Sequence, residues 1–325
     1  MKPMQPSLRG FGAAVALLWV VGCIAGLVYA HQQNIPRAVA LAVLPAFLVE
    51  LSLYLGSVTE PARRRFEAAA GPVARAACLT ASALLPWLLT GARGRGWLLL
   101  ALSAAVSFWY LVLPKRRWAD VALLALLAAV LINKPFEAIY PRPYEKLRID
   151  VLGQLMWFRL GMVAFLSFRG SEGIGVGFLP TKREWLIGLR WFAIFLPAAA
   201  ALNAAVRFAD YAPPSLPWWQ EAGIALGTFL GILWVVALGE EFFVRGLLQQ
   251  WLAEWTGSFP AALALASISF GLAHLWFRQF PNWRFALLAT AAGVFYGLAF
   301  REGRGIRAAM VTHACVVTTW RAFFQ

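Results

Sequence analysis

Two adjacent carboxylates and an arginine interrupt a strongly apolar stretch in the C-terminal half of the chain: Glu240, Glu241 and Arg245. Ionisable side chains at membrane depth are costly, so they are usually paired or functional. Glu241 and Arg245 are four residues apart, in the order that favours an ion pair on one helical face. Glu240 points about 100° away from Glu241 around the helix axis. The sequence therefore predicts one structural ion pair and one spare carboxylate, a candidate general base.

Histidine is rare in this chain, and two of its three histidines fall inside later apolar segments. His31 ends the first apolar segment, whereas His274 and His313 follow the two glutamates. Each histidine alone would be typical of a satisfied core residue. Three unusual polar positions on three otherwise apolar helices favour a shared site instead.

The residues Glu240-Glu241-x-x-x-Arg245, then Phe270-x-x-x-His274, then His313, together resemble the CPBP (CAAX protease and bacteriocin-processing) intramembrane proteases, which include the Ras-converting CAAX endopeptidases. The segment 293–305 is also similar to this family. The resemblance covers about residues 220–325 and extends more weakly from about residue 150. It implies an endopeptidase that cleaves a membrane-associated peptide or protein, with or without a lipid modification on that substrate.

Peptide hydrolysis needs an activated water molecule, and the predicted residues could supply it in two ways. In the first, His274 and His313 bind Zn²⁺, and Glu240 is either the general base or a third ligand. In the second, Glu240 takes the water proton without a metal while both histidines orient water and substrate. The sequence lacks His-Glu-x-x-His, so both mechanisms stay open. Glu241 and Arg245 are predicted to support the site.

The chain departs from the family at Val317, four residues after His313, where relatives usually carry Asn or Asp. An amide there would share a helical face with His313 and could donate a hydrogen bond to the oxyanion, whereas valine cannot. Thr318 is turned about 100° away and is not a simple substitute. Loss of one such donor lowers the rate by about 10²–10³-fold. A weakly active or inactive scaffold or immunity protein is therefore an alternative. A transporter is a further alternative, which inverted repeats with broken helices in both halves would favour, but the sequence offers one candidate break only, near Gly239.

Composition places the protein in the membrane. Hydrophobic residues make up 61% of the chain and charged residues only 14%, whereas a soluble domain is about one quarter charged. We predict an all-α polytopic bundle of about ten transmembrane helices. The net charge of +14 is carried by short basic loops that suit anionic headgroups, so membrane lipids are the predicted partners and nucleic acid is not. Three scattered cysteines give no disulfide or metal-binding pattern.

Topology follows from the basic residues between the apolar segments. The segment 1–9 is short and basic, and residues 10–30 form an apolar segment of spanning length. We therefore expect a cytoplasmic N-terminus, which also puts two triple-basic loops inside. High Ala, Arg and Trp content is compatible with a bacterial source and hence with the bacterial inner membrane.

Three prolines between residues 135 and 143 predict the boundary between two halves. We assign residues 1–148 to an N-terminal transmembrane region of unknown role and residues 149–325 to the peptidase-like domain. In the first half, Glu50 is predicted to make a hydrogen bond inside the bundle. In the second, residues 170–180 are glycine-rich and predict a flexible loop, since no phosphate-binding motif is present.

The helix that leads into Glu240 carries Gly223, Gly227 and Gly231. This small-residue series predicts a close helix–helix contact. The apolar pattern continues to about Trp255, which predicts one long tilted helix or a break near Gly239.

Overall fold

The computed structural model describes residues 8–324, and these residues fold into helices joined by loops, with only two isolated β-bridges. The predicted all-α class is confirmed. Residues 1–7 of the basic N-terminal segment lie outside the described residues.

Cα packing divides the chain into two compact units, residues 1–171 and 172–325. The helix that begins at Asp150 belongs to the first unit, where it packs against the second helix of the chain. The functional assignment of residues 149–325 to one peptidase-like domain stays a prediction, because packing alone does not test it.

The first unit is built from ten helices in the part of the chain that the structure describes, and the tenth ends in a π-helical segment, Ala164–Arg169. They are α1 Leu8–Gln32, α2 Arg37–Ser57, α3 Glu60–Ala69, α4 Pro72–Ser82, α5 Leu84–Leu89, α6 Gly96–Ser107, α7 Trp109–Val112, α8 Arg117–Asn133, α9 Pro135–Ile139 and α10 Asp150–Val163.

A buried ion pair joins α2 to α10 in this unit. The Arg159 guanidinium donates to both oxygens of Glu50, at 2.8 and 3.1 Å, and its third nitrogen donates to the Ser82 hydroxyl at 2.7 Å. Glu50 and Arg159 are both buried. The bundle-facing hydrogen bond predicted for Glu50 is therefore present, and a buried charge of this kind is tolerated only when it is paired in this way.

The second unit contains the helices that carry the predicted site. They are α11 Lys182–Val206, α12 Trp218–Gly231, α13 Leu238–Glu241, α14 Gln250–Thr256, α15 Phe259–Ala273, α16 Trp283–Gly303 and α17 Ile306–Phe323. Helices α15, α16 and α17 pack in sequence, and α11 packs against both α16 and α17.

Within residues 8–324, seven helices are long and apolar enough to cross a membrane, and two shorter apolar helices, Gly96–Ser107 and Phe259–Ala273, accompany them. These helices make the protein a polytopic helical membrane protein, as composition predicted.

One helical segment runs without interruption from Trp218 to Thr256, over 39 residues. It is about twice the length that spans a bilayer. Two π-helical segments, Ile232–Ala237 and Phe242–Gln249, replace the predicted break near Gly239. The long helix is therefore confirmed, and its irregular turns lie on either side of Glu240 and Glu241.

The close helix contact predicted at Gly223, Gly227 and Gly231 is wrong for this chain. A Cβ atom added at any of the three would meet nothing within 4 Å. None of the residues of α12 is buried, and its packing against α17 brings no atoms close to these three glycines.

The glycine-rich loop is packed, contrary to the flexible loop predicted. Ile174 and Phe178 are buried, and the Ile174 carbonyl accepts a hydrogen bond from the Ile306 amide at the start of α17. Gly175 has φ +61° and lies so close to Gly305 that an added Cβ would be 2.4 Å from the Gly305 Cα. The loop thus fixes the N-terminal end of the helix that carries His313.

We expect Gly175→Ala to destabilise the protein by about 2 kcal/mol or more, because it adds a left-handed backbone cost to a clash with backbone atoms. Thermal unfolding in detergent measures the effect. Gly173→Ala is the matched control, since Gly173 has φ +76° but meets only the flexible end of Gln250 at 3.2 Å. Equal melting temperatures for the two variants would show that the contact with Gly305 is unimportant.

Candidate active site

Glu240 and Glu241 end the short α-helical segment between the two π-helical segments. The Glu241 side chain is fully buried, whereas the Glu240 side chain is 29% exposed. Adjacent positions on a helix face different directions, so one carboxylate enters the protein interior and the other lines a cavity.

Glu241 bridges two other site residues. Its Oε1 accepts a hydrogen bond from His313 Nδ1 at 2.8 Å, and its Oε2 is 3.4 Å from Arg245 Nε. The ion pair expected from the four-residue spacing is present, and it also holds a histidine that is 72 residues away. An imidazole whose Nδ1–H is bound by a carboxylate is fixed in orientation and tautomer.

Arg245 is fully buried, and its charge is neutralised and enclosed from several sides. One terminal nitrogen of Arg245 donates a hydrogen bond to the Gly293 carbonyl at 3.1 Å. The central carbon of the guanidinium, Cζ, lies 4.9 Å from the Phe270 ring centroid and 5.8 Å from the Tyr296 ring centroid. Cation–π contacts with desolvated rings are stabilising. Gly293 permits this approach, since an added Cβ would be 3.3 Å from the guanidinium.

Aromatic rings hold His313 in place on two sides. The Tyr296 ring stacks on it at a centroid distance of 4.6 Å and an interplanar angle of 11°, and Phe270 meets it edge-on at 6.0 Å. Its Nε2 is 3.9 Å from Glu240 Oε2, too far for a direct hydrogen bond. In the neutral ring with Nδ1–H bound to Glu241, Nε2 carries the free lone pair.

His274 follows the last residue of α15 and is fixed by a contact to its own helix. Its Nδ1 lies 2.7 Å from the Phe270 carbonyl oxygen, which can only accept, so Nδ1 carries a proton. In the neutral ring, Nε2 then has the free lone pair. Phe270 and Phe285 flank the ring at 4.6 and 5.2 Å.

A largely apolar cavity of about 490 Å³ brings these groups together. Glu240, His274 and His313 all line it, and Glu241 and Arg245 lie behind the lining. Its walls come from α11, the long helix, α15, α16 and α17, mostly through aromatic and aliphatic side chains such as Phe192, Phe195, Leu196, Ala289, Val316 and Trp320. Val317 also lines the cavity, so the position that departs from the family faces the site.

The predicted zinc ligands do not form a metal centre as they are placed. Imidazole nitrogens and a carboxylate oxygen are suitable zinc ligands. Residues 8–324 nevertheless contain no group of three or more His, Cys, Asp or Glu side chains positioned to hold a metal ion. Zinc binding by Glu240, His274 and His313 therefore stays a prediction.

Sequence reasoning missed two features of the site. The first is the hydrogen bond between Glu241 and His313, since no local pattern links residues so far apart. The second is Tyr296, which lines the cavity and stacks on His313. A signal for Tyr296 was available, because it lies in the 293–305 segment that is similar to the family.

The fold and site together define a polytopic helical membrane protein with a glutamate and two histidines around a cavity within its second unit. A family model described as type II CAAX prenyl endopeptidase Rce1-like matches residues 222–319. The match confirms the resemblance to the CAAX proteases over this segment, which contains all five predicted site residues. A search of curated proteins and a search of solved structures gave no significant match.

The family match supports a protease-type function, a peptide or protein substrate and a membrane environment. The apolar helices make the chain an integral membrane protein.

Proposed function

We propose that this protein is an intramembrane endopeptidase in which Glu240 activates water to hydrolyse a peptide bond. One observation carries the proposal. Glu240 Oε2 has no hydrogen-bond partner among the described residues and lies 3.9 Å from His313 Nε2, on the wall of an apolar cavity. A carboxylate in that position can accept a proton from a molecule that contacts both groups.

The reaction follows from the groups that line the cavity. A water molecule between Glu240 and His313 donates one proton to Glu240 as its oxygen bonds to the scissile carbonyl carbon. The carbonyl π electrons move onto oxygen and form a tetrahedral oxyanion. When this intermediate collapses, the carbon–nitrogen bond breaks and the leaving nitrogen takes the proton from Glu240. The Nε2 atoms of both histidines accept hydrogen bonds from the water and the substrate.

Glu241 and Arg245 are positioning residues in this mechanism. Glu241 fixes the His313 tautomer so that Nε2 faces Glu240 with a lone pair, and Arg245 pairs with Glu241 inside the bundle. The same division of labour, with one carboxylate reacting and one orienting a histidine, needs no metal.

The cavity suits an apolar peptide segment, with or without an attached lipid. Its lining is mostly aromatic and aliphatic. The bacterial inner membrane and the cytoplasmic N-terminus remain our predictions for its setting.

A metal chelator is expected to leave cleavage unchanged if Glu240 acts directly. Purified protein in detergent would be incubated with a fluorogenic peptide library, with and without 1,10-phenanthroline. We expect less than a twofold change, because no step depends on a zinc ion. Loss of cleavage with the chelator, followed by recovery on addition of Zn²⁺, would contradict the direct mechanism and favour zinc held by His274, His313 and Glu240.

A catalytically weak scaffold is the second candidate, and Val317 favours it. This side chain lines the cavity one helical turn after His313 and offers no hydrogen-bond donor. The scaffold would be supported if neither the wild-type protein nor Val317→Asn cleaved any peptide in an assay where an active relative does.

A further inference from the structure

The cavity holds many acceptors near the proposed reaction centre, whereas the reaction also needs a donor. The carbonyl oxygen gains negative charge as water attacks, and a hydrogen-bond donor placed to meet it lowers the barrier. This inference rests on the proposed endopeptidase function and concerns which group supplies that donor.

The three groups assigned to water activation cannot supply it. Glu240 is a carboxylate and only accepts. His274 and His313 each use the Nδ1 proton on a protein oxygen, the Phe270 carbonyl and the Glu241 carboxylate respectively. In these neutral tautomers each Nε2 is an acceptor.

Most other donors of the cavity lining are committed or distant. Both amide atoms of Asn203 bond the Ala209 backbone, at 2.9 and 3.1 Å. Thr319, Trp320 and Arg321 follow His313 by six to eight residues, which is about 9–12 Å along the axis of α17. Arg278 is exposed, in the loop beyond α15.

Tyr296 differs from these side chains. It lines the same cavity as Glu240, and its ring is in direct stacking contact with His313 at 4.6 Å. The edge-on Phe270 ring at 6.0 Å and the Arg245 guanidinium at 5.8 Å confine it further. Among residues 8–324 the Tyr296 hydroxyl has no hydrogen-bond partner. It is also not fully enclosed by protein atoms, so a bound molecule can reach it.

We propose that the Tyr296 hydroxyl donates the hydrogen bond that stabilises the oxyanion in this protein. A phenol is neutral, donates readily and is held rigidly here by its stacked ring. Val317 supplies no donor from α17, so the donor comes from α16 across the cavity. In this role Tyr296 would be a catalytic residue, because its hydroxyl would contact the reacting carbonyl.

The test combines Tyr296→Phe with Val317→Asn in the peptide-cleavage assay. Tyr296→Phe keeps the ring and its stacking on His313 but removes the hydroxyl. We expect kcat to fall by about 10²–10³-fold, the usual loss for one oxyanion donor, with KM within threefold and the melting temperature unchanged. Adding Val317→Asn to this variant places an amide on the His313 face of α17 and is expected to restore kcat at least tenfold.

Tyr140→Phe is the matched control. Tyr140 is a buried tyrosine of the first unit whose hydroxyl also has no hydrogen-bond partner among the described residues, but it is not part of the cavity. We expect it to retain the wild-type kcat.

The possible results distinguish the donor role of Tyr296 from the proposed peptidase function. If wild type cleaves and Tyr296→Phe keeps the wild-type kcat, the donor assignment is wrong while the peptidase stands. A fall in kcat that Val317→Asn does not relieve would assign Tyr296 a purely structural role and overturn the proposal. Absence of cleavage by wild type and by Val317→Asn, in an assay where an active relative cleaves, would overturn the donor role and the proposed function together.

Discussion

Glu240→Gln is expected to lower kcat/KM for peptide cleavage by about 10²–10⁴-fold, the contribution of a general base. Glutamine has the same shape as glutamate, but its amide cannot take a proton from water. Because the Glu240 side chain is 29% exposed and its Oε2 has no hydrogen-bond partner among the described residues, the substitution removes no hydrogen bond from this oxygen. The melting temperature should therefore stay close to that of wild type.

Glu172→Gln is the matched control for this prediction. Glu172 is an exposed residue of the glycine-rich loop, outside the cavity. Glu172→Gln makes the same chemical change in the same unit, and this variant is expected to retain full activity. Equal activity of wild type and Glu240→Gln would remove Glu240 from the mechanism.

Arg245→Met is expected to destabilise the protein by about 3–5 kcal/mol, the cost of leaving one partner of a buried ion pair unpaired. Glu241 would remain in the interior without the guanidinium that lies 3.4 Å from it, and both side chains are fully buried. Chemical unfolding in detergent measures the loss. Arg190→Met is the matched control, because Arg190 pairs with Glu302 at the surface and such pairs contribute about 0–1 kcal/mol.

A second variant separates the charge effect from the packing effect. Glu241→Gln combined with Arg245→Met removes both charges, so we expect it to be more stable than Arg245→Met alone. Activity should stay low, since His313 would lose its anionic partner. If Arg245→Met lowered the free energy of unfolding no more than Arg190→Met does, the buried pair would not stabilise the bundle.

The parts of the fold that depend on local pattern were predictable from the sequence. Long apolar segments predicted a polytopic helical membrane protein, and the four-residue spacing predicted the ion pair between Glu241 and Arg245. Glu50 was predicted to bond inside the bundle because a buried charge requires a partner. Its partner, Arg159, is 109 residues away, and no local rule identifies a partner at such a distance.

The parts that depend on packing between distant segments were not predictable. A glycine series is compatible with a close helix contact but does not require one, and Gly223, Gly227 and Gly231 face no neighbour. The loop at Gly175 appeared flexible from composition, yet its fit against Gly305 orders it. Likewise, the spacing between Glu241 and His313 says nothing about their hydrogen bond, which forms because α13 and α17 pack together.

The site is a mixture of the two cases. Its ionisable residues were predicted from the sequence because charge is rare in apolar helices, and the structure brings Glu240, His274 and His313 to one cavity. Tyr296 was not predicted, because it carries no charge that marks it, although it lies in the 293–305 segment that is similar to the family. Its stacking on His313 places it at the site.

The central claim is that Glu240 activates water for attack on a peptide bond. Cleavage in ¹⁸O-labelled water under single-turnover conditions tests this claim most directly. We predict one ¹⁸O atom in the new C-terminal carboxylate of the product and none in the Glu240 side chain, both read by mass spectrometry. Label in the Glu240 carboxylate would show that Glu240 attacks the substrate itself, and the absence of any new C-terminus would contradict the peptidase assignment.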